Sequence, residues 1–210
     1  MATALRQQRI GSLQTRDRLT QTGRLFLQGG DFAAQRLQFA VVPAQTGVVP
    51  APDVVKLTKR HVAEKIAKAD LIYVGGGDTL YLMQVWRETG IDKLVWDAYK
   101  SGVVLAGLSA GAICWFEDIY TDSLEPDTYA PYKGLGTLKG AATPHYNSRS
   151  EFDDVVRKQG YPLSYAIEDD AAILFEDEAP VGALSAGGDA YRLTLLDGEI
   201  KKEKYPVLNK

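Results

Sequence analysis

The sequence predicts an α/β protein: a doubly wound, mostly parallel sheet with helices on both faces and a small antiparallel hairpin near its C-terminal end. Three observations carry this expectation. Several short runs are apolar at successive positions, as strands covered on both faces are. Amphipathic stretches with near-helical spacing of apolar residues separate them. Glycines close the strands, and strand–helix alternation of this kind builds a parallel sheet.

In chain order, Leu25-Phe26-Leu27 running into Gly29-Gly30 reads as a short strand and turn. Leu37 to Pro43 reads as a second buried strand. Asp53 to Ala69 is apolar at Val54, Val55, Leu57, Val62, Ile66 and Ala69, which predicts a helix. Asp70 to Val74 is a third strand, closed by Gly75-Gly76-Gly77. Thr79 to Glu88 and Ile91 to Lys100 predict two further helices, the second ended by Gly102. Val103 to Ala106 is a fourth strand, and a helix is expected from Ala110 through Phe116. Beyond Asp122 the pattern loosens and Pro, Gly and Tyr enter. Leu184, Ala190 to Leu193 and Leu195-Leu196, with the turn Asp197-Gly198, predict the closing hairpin.

The 210 residues, 45% hydrophobic and 24% charged, suit one ordinary domain, expected over 25–210. Residues 1–24 read as a poorly ordered arm without function: Arg6, Arg9, Arg16, Arg18 and Arg24 stand against one acid, Asp17. That composition loosely fits an organellar transit peptide, and no stretch there resembles a secretory signal core. With 24 basic and 27 acidic residues, the chain lacks the basic surplus that nucleic-acid binding requires. One cysteine, Cys114, excludes an intrachain disulfide and a Cys-based metal cluster, and two histidines exclude a His-rich zinc site. No apolar run approaches the ~20 residues that span a bilayer. The expectation is a cytoplasmic protein in a reducing setting, with no membrane partner.

The strongest chemical signal is Gly107-Leu108-Ser109-Ala110-Gly111, set between an apolar strand and a helix-prone stretch. This is the context in which G-x-S-x-G makes a nucleophile elbow, whose sharp turn projects the serine from the carboxyl end of the sheet. Small neighbours make the turn sterically feasible, and the Ala110 N–H can bind an oxyanion there. A serine nucleophile needs a base. His61 lies among charges in an amphipathic helix and reads as a solvated residue. His145 follows Pro144 in a loop at an element end, where site residues concentrate. For the acid that orients the imidazole, Glu168 and Asp122 both remain open. Gly75-Gly76-Gly77-Asp78-Thr79 is neither a Walker loop nor G-x-G-x-x-G; it reads as the second wall of an oxyanion hole, which needs two N–H donors. Cys114, among Ile113, Trp115 and Phe116, reads as a buried small hydrophobe.

These residues carry a resemblance. Gly75 to Thr79, Leu105 to Phe116, Thr121-Asp122-Ser123 and Pro144-His145-Tyr146 resemble, in order, the peptidase E family of serine peptidases, the aspartyl dipeptidases. Cyanophycinases are more distant relatives. The similarity spans roughly residues 70–195 and implies a fold like that of class I glutamine amidotransferases. It implies Ser109 as nucleophile, His145 as base, and Gly77 and Ala110 as oxyanion donors, with Gly76 and Asp78 beside them. For the third triad member it supports Glu168, while Asp122 also matches an acid given that role. It implies no metal or organic cofactor.

Three features depart from the family pattern. Asp78 stands where the family has Asn. Residues 30–37 are shorter than the family's first helix, which points to a sheet edge remodelled or supplied by a partner and allows a homodimer. The basic residue that reads a substrate aspartate is not fixed: Arg149 is the nearest candidate, with Arg157 and Lys133 behind it. The expected activity is hydrolysis of short peptides, N-terminal Asp-X dipeptides above all. Two alternatives stand beside it: a cyanophycinase-like hydrolase, for which the acids between Glu168 and Glu178 would line a cleft, and a non-catalytic amidotransferase-like binding module.

Overall fold

A computed structural model describes residues 2–6, 38–42, 47–50, 59–125 and 128–208. Five elements frame the catalytic-looking turn: β4 (Leu71–Val74), α2 (Thr79–Thr89), α3 (Ile91–Lys100), β5 (Val104–Leu108) and α4 (Ala110–Ile113). Before them come β1 (Ala2–Arg6), β2 (Gln38–Val42), β3 (Gly47–Pro50) and α1 (Lys59–Ile66). After them come β6 (Phe116–Glu125), β7 (Thr128–Lys133), β8 (Leu138–Thr143), α5 (Phe152–Gln159), β9 (Leu163–Ile167), β10 (Ala171–Glu176), β11 (Ala179–Ser185), β12 (Ala190–Leu196) and β13 (Glu199–Lys204).

The fold is α/β, with two mixed sheets. The first runs β11-β10-β1-β5-β4-β2-β3 and the second β13-β12-β9-β8-β6-β7. Parallel pairing joins β4 to β5 and β1 to β10 in the first sheet, and β6 to β8 to β9 in the second. The other ladders are antiparallel, so among the described strands parallel pairs are a smaller share than the sequence suggested. The physical reason is connection length: β10 to β11 and β12 to β13 are linked by tight turns, which only antiparallel neighbours permit. The hairpin around Asp197-Gly198 is β12–β13.

Local sequence explains the layer around β4 and β5. Ile72, Val74 and Leu105 are buried in this layer, as a central parallel pair requires. α2 buries Thr79, Leu82, Met83 and Trp86, one helical stripe. α3 buries Ile91, Val95, Ala98 and Tyr99 on the same principle. Both helices pack into one core that includes Trp115, whose ring meets Trp86 edge-on at 5.7 Å. Burial of each large apolar side chain contributes about 2 kcal/mol.

Five segments differ from the sequence expectation or lie beyond it. The helix expected from Ala110 through Phe116 ends at Ile113, and Phe116 already opens β6. The looser stretch beyond Asp122 supplies most of the second sheet as well as β10 and β11 of the first; Pro131 within β7 and Gly140 within β8 break the apolar pattern there. Of residues 1–24, read as an arm, Ala2–Arg6 form β1 between β10 and β5. The strand expected at Leu25-Phe26-Leu27 and the stretch 30–37 lie outside the described residues. Among the described residues, no helix is long and apolar enough to cross a membrane.

Candidate active site

The site begins at the end of β5. Ser109 lies between β5 and α4 with φ 55° and ψ −115°, a conformation that L residues rarely hold. The two motif glycines are demanded by close approach. A Cβ on Gly107 would lie 1.9 Å from the Gly111 carbonyl oxygen, and one on Gly111 would lie 2.2 Å from that of Val74. The elbow therefore packs directly on β4. The Gly111 N–H also donates to the Gly75 carbonyl (3.2 Å), which ties the elbow to the glycine loop. Gly76 sits against the serine: its Cβ position would be 3.1 Å from Ser109 Cβ.

Asp78 has a local job. It is the N-cap of α2, and its carboxylate accepts the Tyr81 N–H at 2.8 Å. This engages the charge that stands where the family has Asn. The Thr121-Asp122-Ser123 motif supports the same helix end through its hydroxyls. Ser123 Oγ accepts the Thr79 N–H at 2.8 Å, and the Thr121 hydroxyl lies 3.2 Å from that of Thr79 and 2.9 Å from Ser123 Oγ.

His145 follows β8 in the left-handed region, with φ 51°. Its Nε2 is 3.2 Å from Ser109 Oγ. Its Nδ1 is 2.6 Å from Asp169 Oδ1. A carboxylate only accepts, so Nδ1 carries the hydrogen and Nε2 presents its lone pair to the serine hydroxyl. Burial lowers the His145 pKa below its ordinary value, against the opposing pull of Asp169. Burial alone would raise the Asp169 carboxyl, but hydrogen bonds from His145 and Asn147 outweigh it and leave the group lowered, hence ionised near neutrality.

The acid on His145 is thus neither of the two weighed from sequence. Glu168 Oε2 accepts the Asp189 N–H at 2.9 Å, while the Glu168 N–H donates to the Asp189 carbonyl at 3.0 Å. The backbone bond continues the β9–β12 pairing just past Ile167 and Ala190, and the Glu168 carboxylate stands in for the second backbone acceptor. Asp169, the next residue, lies in the turn that follows β9, and its carboxylate reaches the histidine. Asp122 lies beside Arg149, 4.0 Å from Nη2.

Arg149 is buried. Its guanidinium stacks on the Tyr129 ring at 4.4 Å and donates from Nη1 to the Tyr120 carbonyl at 3.3 Å. Its Nε is buried with no hydrogen-bond partner among the described residues. The two fallback cations are already paired at the surface, Lys133 with Asp118 and Arg157 with Asp154, each at 2.8 Å. Cys114 is buried, its thiol held far above the ordinary range by desolvation. The side chain of His61 lies outside the described residues.

A serine hydroxyl, an imidazole and a carboxylate thus stand in series just beyond the end of β5. The chain matches the model of peptidase family S51 over residues 45–180, and it belongs to that family. Among its relatives, the uncharacterized peptidase YgaJ of Bacillus subtilis (strain 168) is 39% identical over 148 residues, 68% of this chain and 64% of YgaJ. Peptidase E of Pasteurella multocida (strain Pm70) is 36% identical over 87 residues, 41% of this chain and 37% of that protein. The solved structure of a peptidase from an acI-B1 actinobacterium shares the fold, with a TM-score of 0.52 and 20% identity over 70% of this chain and 61% of that one. The chain thus spans less than two thirds of YgaJ and of the actinobacterial protein.

Proposed function

We propose that this peptidase is a serine-type enzyme that hydrolyses short peptides with an N-terminal aspartate. The observation that carries the reading is the approach of Ser109 Oγ to His145 Nε2, 3.2 Å, within the reach a general base needs. The Ser109 hydroxyl passes its proton to Nε2 as Oγ forms a bond to the scissile carbonyl carbon, and the carbonyl electron pair moves onto oxygen. The N–H groups of Ala110 and Gly77 receive that oxyanion, and one such donor is worth about 3 kcal/mol of barrier. The tetrahedral species collapses, the C–N bond breaks, and the leaving amine takes the proton from Nε2. Water repeats the sequence on the acyl-serine and restores the hydroxyl. Asp169 holds the Nδ1–H and balances the imidazolium while it exists.

The preference for aspartate rests on Arg149. With Nη1 committed to the Tyr120 carbonyl, Nη2 is the guanidinium group left to receive a carboxylate, the Asp122 carboxylate standing 4.0 Å from it. The test is a set of dipeptides, Asp-Leu, Asn-Leu, Glu-Leu and Ala-Leu, assayed by release of leucine. Selective cleavage of Asp-Leu supports the reading. Equal cleavage of Asn-Leu removes the role of Arg149, and cleavage of none removes the dipeptidase.

A further inference from the structure

His145 is not the only residue that grips Asp169. Asn147, two positions along the same turn, does so twice. Its Nδ2 donates to Asp169 Oδ2 at 3.2 Å, and its Oδ1 accepts the Asp169 backbone N–H at 3.1 Å. Only one orientation of the amide satisfies both bonds, so its two ends are fixed by the partners. The carboxylate is then held at both oxygens: Oδ1 by His145 and Oδ2 by Asn147.

This grip has a physical purpose. The Asp169 side chain is 49% exposed, and Asp170 after it has φ 58°. An exposed aspartate on a tight turn has a soft second torsion and competing water, so packing alone does not set its direction. The Asn147 side chain supplies what packing does not. Its own position is set by the turn Tyr146–Ser148, where the Ser148 N–H and hydroxyl both bond the His145 carbonyl, at 2.9 and 3.0 Å. The base and the clamp therefore ride on one rigid turn.

We infer that Asn147 is a positioning residue that aims the Asp169 carboxylate at His145 Nδ1. The inference rests on the peptidase reading for its kinetic consequence, not for its structural one. Three forms are compared: wild type, Asn147→Ala and Asn147→Asp. Asparagine-to-aspartate keeps an acceptor for the Asp169 N–H but loses the donor to Oδ2 and adds a like charge.

The first readout is the low-field proton signal of the His145 Nδ1–H in NMR, which reports a short hydrogen bond to a carboxylate. Both variants are expected to lose this signal or move it upfield while keeping the wild-type circular dichroism. The second readout is Asp-Leu cleavage, where kcat falls about 10- to 100-fold with KM within about twofold. An unchanged signal in Asn147→Ala overturns the inference. So does Asn147→Asp if it restores both signal and kcat, since a purely structural role needs only the acceptor. If wild type cleaves no dipeptide, the peptidase reading fails by itself, and the NMR signal alone decides the clamp.

Discussion

Ser109 and His145, 36 positions apart in the chain, meet at 3.2 Å with both backbones in the left-handed region, at φ 55° and 51°. Each conformation costs on the order of 1–3 kcal/mol. Such strain persists only where surrounding structure enforces it. Here the enforcement is visible: the serine turn is pinned on β4 through Gly107 and Gly111, and the histidine begins a turn closed by Ser148.

The pinning makes Gly111 a stability-determining position. Gly111→Ala drives a methyl to 2.2 Å from a backbone oxygen that has no rotamer to move. We expect a loss of about 3 kcal/mol, the upper range of overpacking costs, read as a lower midpoint in urea unfolding. An unchanged midpoint contradicts the packing described for the elbow.

The acid assignment separates three neighbouring carboxylates. Asp169→Asn is expected to lower kcat by about 10²-fold or more, because the amide can leave the imidazole in the wrong tautomer. Glu168→Gln and Asp122→Asn are expected to stay within about fivefold of wild type, since neither carboxylate touches His145. Steady-state kinetics on the three variants checks the order.

The pH profile follows from the buried imidazole. His145 accepts a proton only when neutral, so the rate rises as pH climbs through its pKa and levels above it. Burial lowers that pKa, which sets the midpoint of kcat/KM below the ordinary value of about 6.5. Asp169→Asn removes a charge that favours the imidazolium and moves the midpoint lower still. A midpoint above 6.5 in wild type contradicts this.

Arg149→Met keeps much of the side-chain volume and removes the charge. We expect kcat/KM for Asp-Leu to fall roughly 100-fold, with Ala-Leu nearly unaffected, as when a site loses the group that pairs a buried polar partner. A uniform fall across both dipeptides points to the Tyr129 stack rather than to substrate reading.

How much of this was legible in the sequence depends on range. The elbow is a local pattern, strand then G-x-S-x-G then helix, and the strand–turn order fixes its backbone. His145 was legible because Pro144 ends a regular element just before it. Asp169 was not singled out from Glu168 and Asp170, since the choice hangs on where β9 ends and on how Glu168, just past it, bonds Asp189, just before β12, a non-local fact. Thr121 and Ser123 were read through the acid between them, yet their hydroxyls make the contacts. The second sheet escaped because strand–helix alternation was the signal read, and among the described residues α5, between β8 and β9, is the one α-helix in the run from β6 to β13.

The proposed chemistry stands on activation of Ser109 by His145. It is tested most directly by incubating the protein with a fluorophosphonate and mapping the adduct by tandem mass spectrometry. One adduct is expected, on Ser109, absent in Ser109→Ala and formed at least about 100-fold more slowly in His145→Ala. No adduct on Ser109, or one formed equally fast without the imidazole, would contradict it.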